Sequence, residues 1–173
     1  TSIENIHKVI DPLFLDDLRD ELAQIKAIQV DKTRTRKLEE YRKKLSSLTF
    51  LDPACGSGNF LTETYLSLRR LENEALNLIH NGQMVLGLDD LIKVSSGQFY
   101  GIEINDFAVT VAKTALWIAE SQMMKETEEI VNMNRDSLPL KAYANIVESN
   151  ALRSDWESVV PKDKLNYIMG NPP

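Results

Sequence analysis

The chain has 173 residues, of which 43% are hydrophobic, and its 26 acidic and 20 basic side chains give a formal net charge of −6. This composition predicts one globular domain with an apolar core and excludes a disordered or fibrous chain. Apolar runs fall short of the roughly 18 residues that span a bilayer, no secretory signal opens the chain, and one cysteine with two histidines offers no zinc cluster. We therefore expect a cytoplasmic protein without a membrane segment or a bound metal.

The segment 1–47 is predicted to be helical and to precede the main fold, which we expect over residues 48–173. Apolar residues recur at helical spacing at Phe14, Leu15, Leu18, Leu22 and Ile25. A second helix is expected over residues 32–45, where seven basic side chains stand against two acidic ones between positions 32 and 44. Because duplex binding relies on lysine and arginine and the whole chain is acidic, we interpret this run as a solvated helix face, with a contact surface as the alternative.

From residue 48 onward, short apolar strands alternate with long helical stretches. We expect strands over residues 48–51, 98–104, 144–148 and 165–169, and helices over residues 59–78 and 106–124. Repeats of this kind form a parallel sheet with right-handed crossovers, so the predicted fold class is α/β, a doubly wound Rossmann-like fold of about four strands. The expected strand order is 3-2-1-4, which leaves the fourth strand at an open edge.

Two segments between these elements are less regular. Residues 125–141 are polar and are predicted to form a loop, and a short helix is expected over residues 88–94. In the helix over residues 106–124, the alanine, valine and leucine side chains and Trp117 are expected to face the core.

The stretch DPACGSGNF at residues 52–60 follows the first strand and precedes a helix. Glycines at such a turn allow close backbone approach, which is how the turn accepts a nucleotide-like ligand. The dinucleotide fingerprint requires a third small residue where this chain has Leu61, and no phosphate-binding Lys-Ser/Thr pair follows. The turn is therefore not built for a pyrophosphate, and Asp52 at the strand end suits a ligand that carries an amino group.

Polar residues also follow the second and third strands. Glu103 ends the second strand, where a carboxylate can accept both hydroxyls of a ribose; the alternative is an ordinary helix cap or surface acid. Ile104 is then placed to pack on an adenine ring. Asn150, which precedes Ala151 after the third strand, can accept from an adenine amino group, although a polar residue at a strand end is also common in other contexts.

The fourth strand ends in Met169-Gly170-Asn171-Pro172-Pro173. The two prolines form a stiff extended segment, so Asn171 and the Pro172 carbonyl can both accept hydrogen bonds from one planar NH2 group. Two acceptors on its hydrogens draw such an amine towards tetrahedral geometry and restore its nucleophilicity. No general base with a tuned pKa is then needed before attack.

In order and spacing, these motifs resemble the S-adenosylmethionine-dependent DNA methyltransferases that modify the amino group of adenine. Residues 52–61 are similar to motif I of the gamma-type group, residues 101–104 to motif II, Asn150 to motif III and residues 171–173 to the start of motif IV. The helix that ends in Ser67-Leu68-Arg69-Arg70-Leu71-Glu72 resembles the single-chain type IIG and IIL restriction-modification enzymes of the MmeI-like kind.

The resemblance implies a fold, a cofactor and site residues. S-Adenosylmethionine would be the cofactor, and its methionine part would be surrounded by Asp52, Ala54, Gly56, Gly58 and Phe60. Its ribose would contact Glu103, and its adenine would contact Ile104, Asn150 and Ala151. The methyl group would pass to a flipped adenine held at Asn171, Pro172 and Pro173. Many relatives have Asp where this chain has Asn150, whose amide oxygen still accepts a hydrogen bond but carries no charge.

Double-stranded DNA is the implied partner, through regions outside this chain. In the family an aromatic residue follows Asn-Pro-Pro, and further strands and a target-recognition domain come after it. Since none is present here, we expect these residues alone to hold the cofactor weakly at best and not to methylate DNA.

Other functions remain open at this point. Methyltransferases for glutamine side chains or RNA guanine also use Asn-Pro-Pro, whereas N4-cytosine enzymes usually have Ser at the position of Asn171. A nicotinamide-dependent oxidoreductase is disfavoured by Leu61 and Asp52. In a non-catalytic interaction module, the glycine turn would be purely structural.

Overall fold

The computed structural model describes residues 1–80, 91–131 and 145–172; Pro173 lies outside these ranges. The helices in them are α1 (Ile3–Ile10), α2 (Asp16–Lys26), α3 (Asp31–Ser47), α4 (Asn59–His80) and α5 (Asp106–Ile130), and the strands are β1 (Phe50–Asp52), β2 (Phe99–Glu103), β3 (Asn145–Glu148) and β4 (Tyr167–Ile168). A π-helical turn, Asp11–Leu15, joins α1 to α2. None of the helices in the described ranges is both long and apolar enough to cross a membrane.

The four strands form one parallel sheet in the order β3-β2-β1-β4, which confirms the predicted fold class and strand order. In the register, Asp52 lies opposite Gly101 and Glu103 lies opposite Glu148. Among the described residues β4 pairs only with β1, and its Ile168 is half exposed. Because all strands run the same way, their carboxyl ends meet at one edge of the sheet, where ligands of such folds bind.

A row of stacked aromatic rings joins the sheet to the N-terminal helices. Phe50 of β1 stacks on Phe99 of β2 and on Tyr167 of β4, with ring centroids 5.2 and 5.4 Å apart. Phe14 packs on this row, with its ring centroid 5.0 Å from those of Phe50 and Tyr167. The other apolar residues that recur at helical spacing are buried with it, namely Leu15, Leu18, Leu22 and Ile25. The N-terminal helices and the sheet therefore share one apolar core.

Several side chains of the basic run in α3 form ion pairs within the fold. Lys37 pairs with Glu40, and Lys44 pairs with Glu21 of α2. This pairing favours the solvated-face interpretation over a contact surface. Arg42 is also paired, with Glu39, but its side chain is buried and donates to the Leu91 carbonyl oxygen at 2.6 Å.

The prediction for Trp117 is wrong, since this side chain is 46% exposed. Residues three and four apart form the buried face of α5, which includes Val109, Ala112, Leu116, Ala119 and Met123. Trp117 follows Leu116 by one residue, or about 100° around the helix, and therefore lies off the face that packs against α4.

The predicted loop over residues 125–141 is also partly wrong, because α5 continues to Ile130. Buried Thr127 holds this last part of the helix: its hydroxyl accepts from Arg69 Nη2 at 2.7 Å and lies 2.8 Å from Asn73 Oδ1. Residues 132–141 lie outside the described ranges. A polar sequence thus stays helical here because α4 supplies hydrogen-bonding partners for it.

The short helix expected over residues 88–94 is not found in its described part, residues 91–94. The backbone N–H groups of Lys93 and Val94 instead donate to the buried Glu72 carboxylate at 2.6 and 3.3 Å. A 3-10 turn, Ser96–Gln98, follows and leads into β2. Residues 88–90 lie outside the described ranges.

Candidate functional site

The glycine turn between β1 and α4 presents open backbone on one side and close packing on the other. Gly56 has φ +52° and Gly58 has φ +77°, which is the left-handed region that favours glycine. A Cβ atom at Gly58 would lie 2.9 Å from the Ala112 Cβ, so glycine allows the turn to pack directly on α5. A Cβ atom at Gly56 would meet nothing within 4 Å. The Gly56 side of the turn is therefore accessible to a ligand.

Cys55 holds the turn against β2 and is not a nucleophile. Its backbone N–H donates to the Ile102 carbonyl oxygen at 3.0 Å, and its side chain is buried. A Cβ atom at Gly101 would lie 2.9 Å from the Cys55 sulfur, so glycine at that position makes room for the thiol. Burial raises the pKa of the Cys55 thiol to about 12, so the group stays protonated near neutral pH.

Glu103 joins the end of β2 to the glycine turn. Its Oε2 accepts the Gly56 N–H at 2.8 Å, and its Oε1 accepts the Asn105 N–H at 2.9 Å. The cap of α5 is Asn105, whose side chain accepts the Ala108 N–H at 3.0 Å. Glu103 is therefore not the helix cap. A carboxylate has about four acceptor positions, so this one can still bind hydroxyl groups.

Asp52 lies at the end of β1 and is 2% exposed. Its Oδ1 accepts the Ala54 N–H at 3.1 Å. Burial raises the pKa of Asp52 to about 6, the Ala54 hydrogen bond opposes this shift, and the nearby charge of Glu103 adds to it. A cation bound beside Asp52 would stabilise the ionised carboxylate and reverse the shift.

The chain beyond β4 passes directly against Asp52. The Met169 N–H donates to the Leu51 carbonyl oxygen at 3.0 Å. A Cβ atom at the next residue, Gly170, would lie 2.5 Å from Asp52 Oδ1. Asn171 and Pro172 follow and are exposed, so their acceptor groups are accessible beside the buried carboxyl group.

Comparison with known proteins decides the family. A family model described as MmeI, DNA-methyltransferase domain, matches residues 28–173. The chain belongs to this family. The chain is 45% identical to DNA methyltransferase A of Bacillus subtilis over 177 aligned positions, which cover all of this chain and 19% of that protein.

A solved structure of the type IIL restriction-modification enzyme MmeI in complex with DNA is also similar to the chain. Its TM-score is 0.89 and its sequence identity is 43%, over all of this chain and 22% of that one. The chain thus spans only a minor part of the relatives that it matches. The family is one of methyltransferases and not of nicotinamide-dependent oxidoreductases.

In this member of the MmeI methyltransferase family, two contacts connect the ends of the strands. Glu103 binds the glycine turn at Gly56, and Asp52 lies against Gly170, directly before Asn171. The ends of β1, β2 and β4 are therefore brought to one place on the same edge of the sheet.

The remaining predicted residues lie around this place in different settings. Ile104 is 66% exposed at the end of β2. Asn150 Oδ1 accepts the Leu152 N–H at 3.0 Å, and the Ala151 carbonyl oxygen accepts the indole N–H of Trp156 at 2.8 Å, so both residues shape the chain after β3. Phe60 is buried in the main core, whereas Ala54 is half-buried in the turn.

Sequence reasoning gave no role to Gly170. The available signal was a glycine at a strand end, immediately before the predicted amine-binding residue Asn171. Within the described ranges, no group of three or more histidine, cysteine, aspartate or glutamate side chains is arranged to bind a metal ion.

Proposed function

We propose that this chain is the cofactor-binding and catalytic part of a DNA methyltransferase in a restriction-modification system. The enzyme transfers the methyl group of S-adenosylmethionine to the N6 amine of an adenine flipped out of duplex DNA. One observation carries the proposal: the buried carboxyl group of Asp52, beside the glycine turn, lies against the residue that precedes Asn171. The family and the DNA complex of MmeI support DNA as the substrate.

Three features of the strand ends fit the cofactor. The open side of Gly56 accommodates an approaching ligand, and Glu103 keeps acceptor positions that suit ribose hydroxyls. Burial raises the pKa of Asp52 to about 6. The ammonium group of the methionine part would be a charge partner for the ionised Asp52 carboxylate. When bound, S-adenosylmethionine supplies a methyl carbon made electrophilic by a positively charged sulfur.

The chain itself prepares the amine. The side-chain oxygen of Asn171 and the carbonyl oxygen of Pro172 accept hydrogen bonds from the two N–H groups of the adenine amine. These bonds draw the nitrogen lone pair out of conjugation with the ring. Pro172 has a fixed φ and no N–H, so this acceptor pair is held stiffly after β4. Flipping the base costs a few kcal/mol, which contacts with the rest of the protein must offset.

Mass spectrometry of the methylated product tests this function. The intact protein is incubated with isotope-labelled S-adenosylmethionine and, in separate reactions, with duplex DNA, RNA and a release factor protein. We expect labelled N6-methyladenine from the DNA alone. Label in a glutamine side chain, in guanine of RNA or at N4 of cytosine would contradict the proposal and identify the alternative reaction.

The binding of S-adenosylhomocysteine is expected to depend on pH through Asp52. In the protein without ligand, the pKa of Asp52 is raised to about 6, so the carboxyl group is mostly neutral at pH 5 and mostly ionised at pH 7. The ligand ammonium group pairs only with the ionised form, so affinity should increase from pH 5 to pH 7. Calorimetric titration over this range measures the effect.

The matched variant for this titration is Asp52→Asn, which keeps the shape of the side chain but does not titrate. We expect it to bind more weakly at pH 7 and with a flatter dependence on pH. An equally steep increase in both proteins would show that another group is responsible.

A further inference from the structure

We propose that Gly170 is a positioning residue: with no side chain, it lets the chain after β4 lie directly on Asp52 and thereby places Asn171 beside the glycine turn. This inference rests on the proposed function, because it assigns Gly170 a part in methyl transfer. It follows from the contacts of Met169, Gly170 and Asp52.

The last fixed point before Asn171 is Met169. Its backbone N–H donates to the Leu51 carbonyl oxygen at 3.0 Å, and its buried sulfur accepts from the Thr64 hydroxyl at 3.5 Å. One residue, Gly170, therefore separates the end of the sheet from Asn171. A shift of the Gly170 backbone therefore changes the position from which Asn171 starts.

The space beside Gly170 is filled by a group that cannot easily move. A Cβ atom there would lie 2.5 Å from Asp52 Oδ1 and 3.0 Å from Asp52 Cγ. Asp52 is 2% exposed, has a short side chain and is held by the Ala54 N–H at 3.1 Å. With alanine at position 170, the backbone must move away from Asp52 or the carboxyl group must leave Ala54.

A shift of the backbone displaces Asn171, whereas a shift of the carboxyl group also moves the proposed partner of the cofactor ammonium group. Displacement of a reacting group by about 1 Å can cost a factor of about 100 in rate. Gly56 and Glu103 form their own contact at 2.8 Å, which does not involve Gly170. We therefore expect Gly170→Ala to impair catalysis more than cofactor binding.

The experiment compares Gly170→Ala with Gly97→Ala in the intact protein. A Cβ atom at Gly97 would find its nearest neighbour, Ser95 Oγ, at an ordinary 3.5 Å. We expect Gly170→Ala to lower kcat about 100-fold, which is more than it lowers the affinity for S-adenosylhomocysteine, and Gly97→Ala to match the wild type in both. Wild-type kcat in Gly170→Ala, or a loss of affinity in proportion to kcat, would overturn the proposal.

A double-mutant cycle on the free energy of unfolding tests the contact without reference to activity. Gly170→Ala should destabilise the protein less when Asp52→Ala has removed the facing carboxyl group; additive effects would overturn the proposal. Alanine at the Gly170 φ of +157° is strained whatever it faces, and this cost cancels in the cycle. If Gly170→Ala alone fails to fold, the cycle is measured in sucrose, which stabilises the folded state, and the same two outcomes apply. A wild-type protein that transfers no methyl group would refute the proposed function, yet the cycle would still report on the contact.

Discussion

Replacement of Glu72 by alanine is expected to lower the free energy of unfolding by about 3–5 kcal/mol. Glu72 and Arg69 on α4 both have no exposed surface and form an ion pair. Arg69 also donates to Thr127 at 2.7 Å, and Glu72 accepts the Lys93 N–H at 2.6 Å. Removal of the carboxylate leaves the Arg69 charge buried without its counterion and the Lys93 N–H without this acceptor.

The control for this prediction is Glu74→Ala on the same helix. Glu74 pairs with Lys26 at 2.6 Å, but both side chains are nearly half exposed, so we expect a loss of about 0–1 kcal/mol. Chemical denaturation of both variants measures the difference. If Glu72→Ala were no less stable than Glu74→Ala, the buried network would not be what fastens α4 to α5 and to the segment before β2.

The largest expected effect on activity comes from Asn171→Ala. Loss of one positioned hydrogen-bonding group at a reacting centre typically lowers kcat by about 100- to 1,000-fold, and we expect a fall in this range. Asn171 is exposed beyond the last strand, so stability and affinity for S-adenosylhomocysteine should not change. Steady-state methyl transfer to duplex DNA, with denaturation and calorimetry on the same sample, measures all three quantities.

Asn166→Ala serves as the opposite case. Asn166 also lies next to β4, but at its other end, where its side chain accepts the Thr49 N–H at 2.8 Å. This variant should lose some stability and keep its kcat. Asn171→Ala with a wild-type kcat would remove Asn171 from the proposed mechanism.

Local patterns were sufficient to predict the sheet. Strands separated by long helices can form only a few parallel arrangements, and the order β3-β2-β1-β4 was among them. The apolar residues that recur at helical spacing, Phe14 and Leu18 among them, are buried as the spacing indicates. The position of Glu103 near the predicted site could also be inferred from the sequence, because the carboxyl ends of parallel strands lie at one edge of the sheet.

The features that the sequence did not reveal depend on contacts between distant residues. The extension of α5 past residue 125 depends on the bond between Thr127 and Arg69, and the segment after residue 90 follows the Glu72 carboxylate. Trp117 is a large apolar residue of the kind found in cores, but its position on α5 lies off the helix face that packs against α4. The approach of Gly170 to Asp52 joins two strands that are far apart in sequence, so no local pattern indicates it.

The central claim is that the ends of β1, β2 and β4 form one binding site for S-adenosylmethionine. Calorimetry of the intact protein with S-adenosylhomocysteine tests it most directly when Glu103→Ala is compared with Glu148→Ala, its exposed register partner on β3. Hydrogen bonds to a charged group contribute about 1.5–3 kcal/mol, so we expect Glu103→Ala to bind about 10- to 100-fold more weakly and Glu148→Ala to bind like the wild type. Equal affinities in all three proteins, or no binding by the wild type, would contradict the claim.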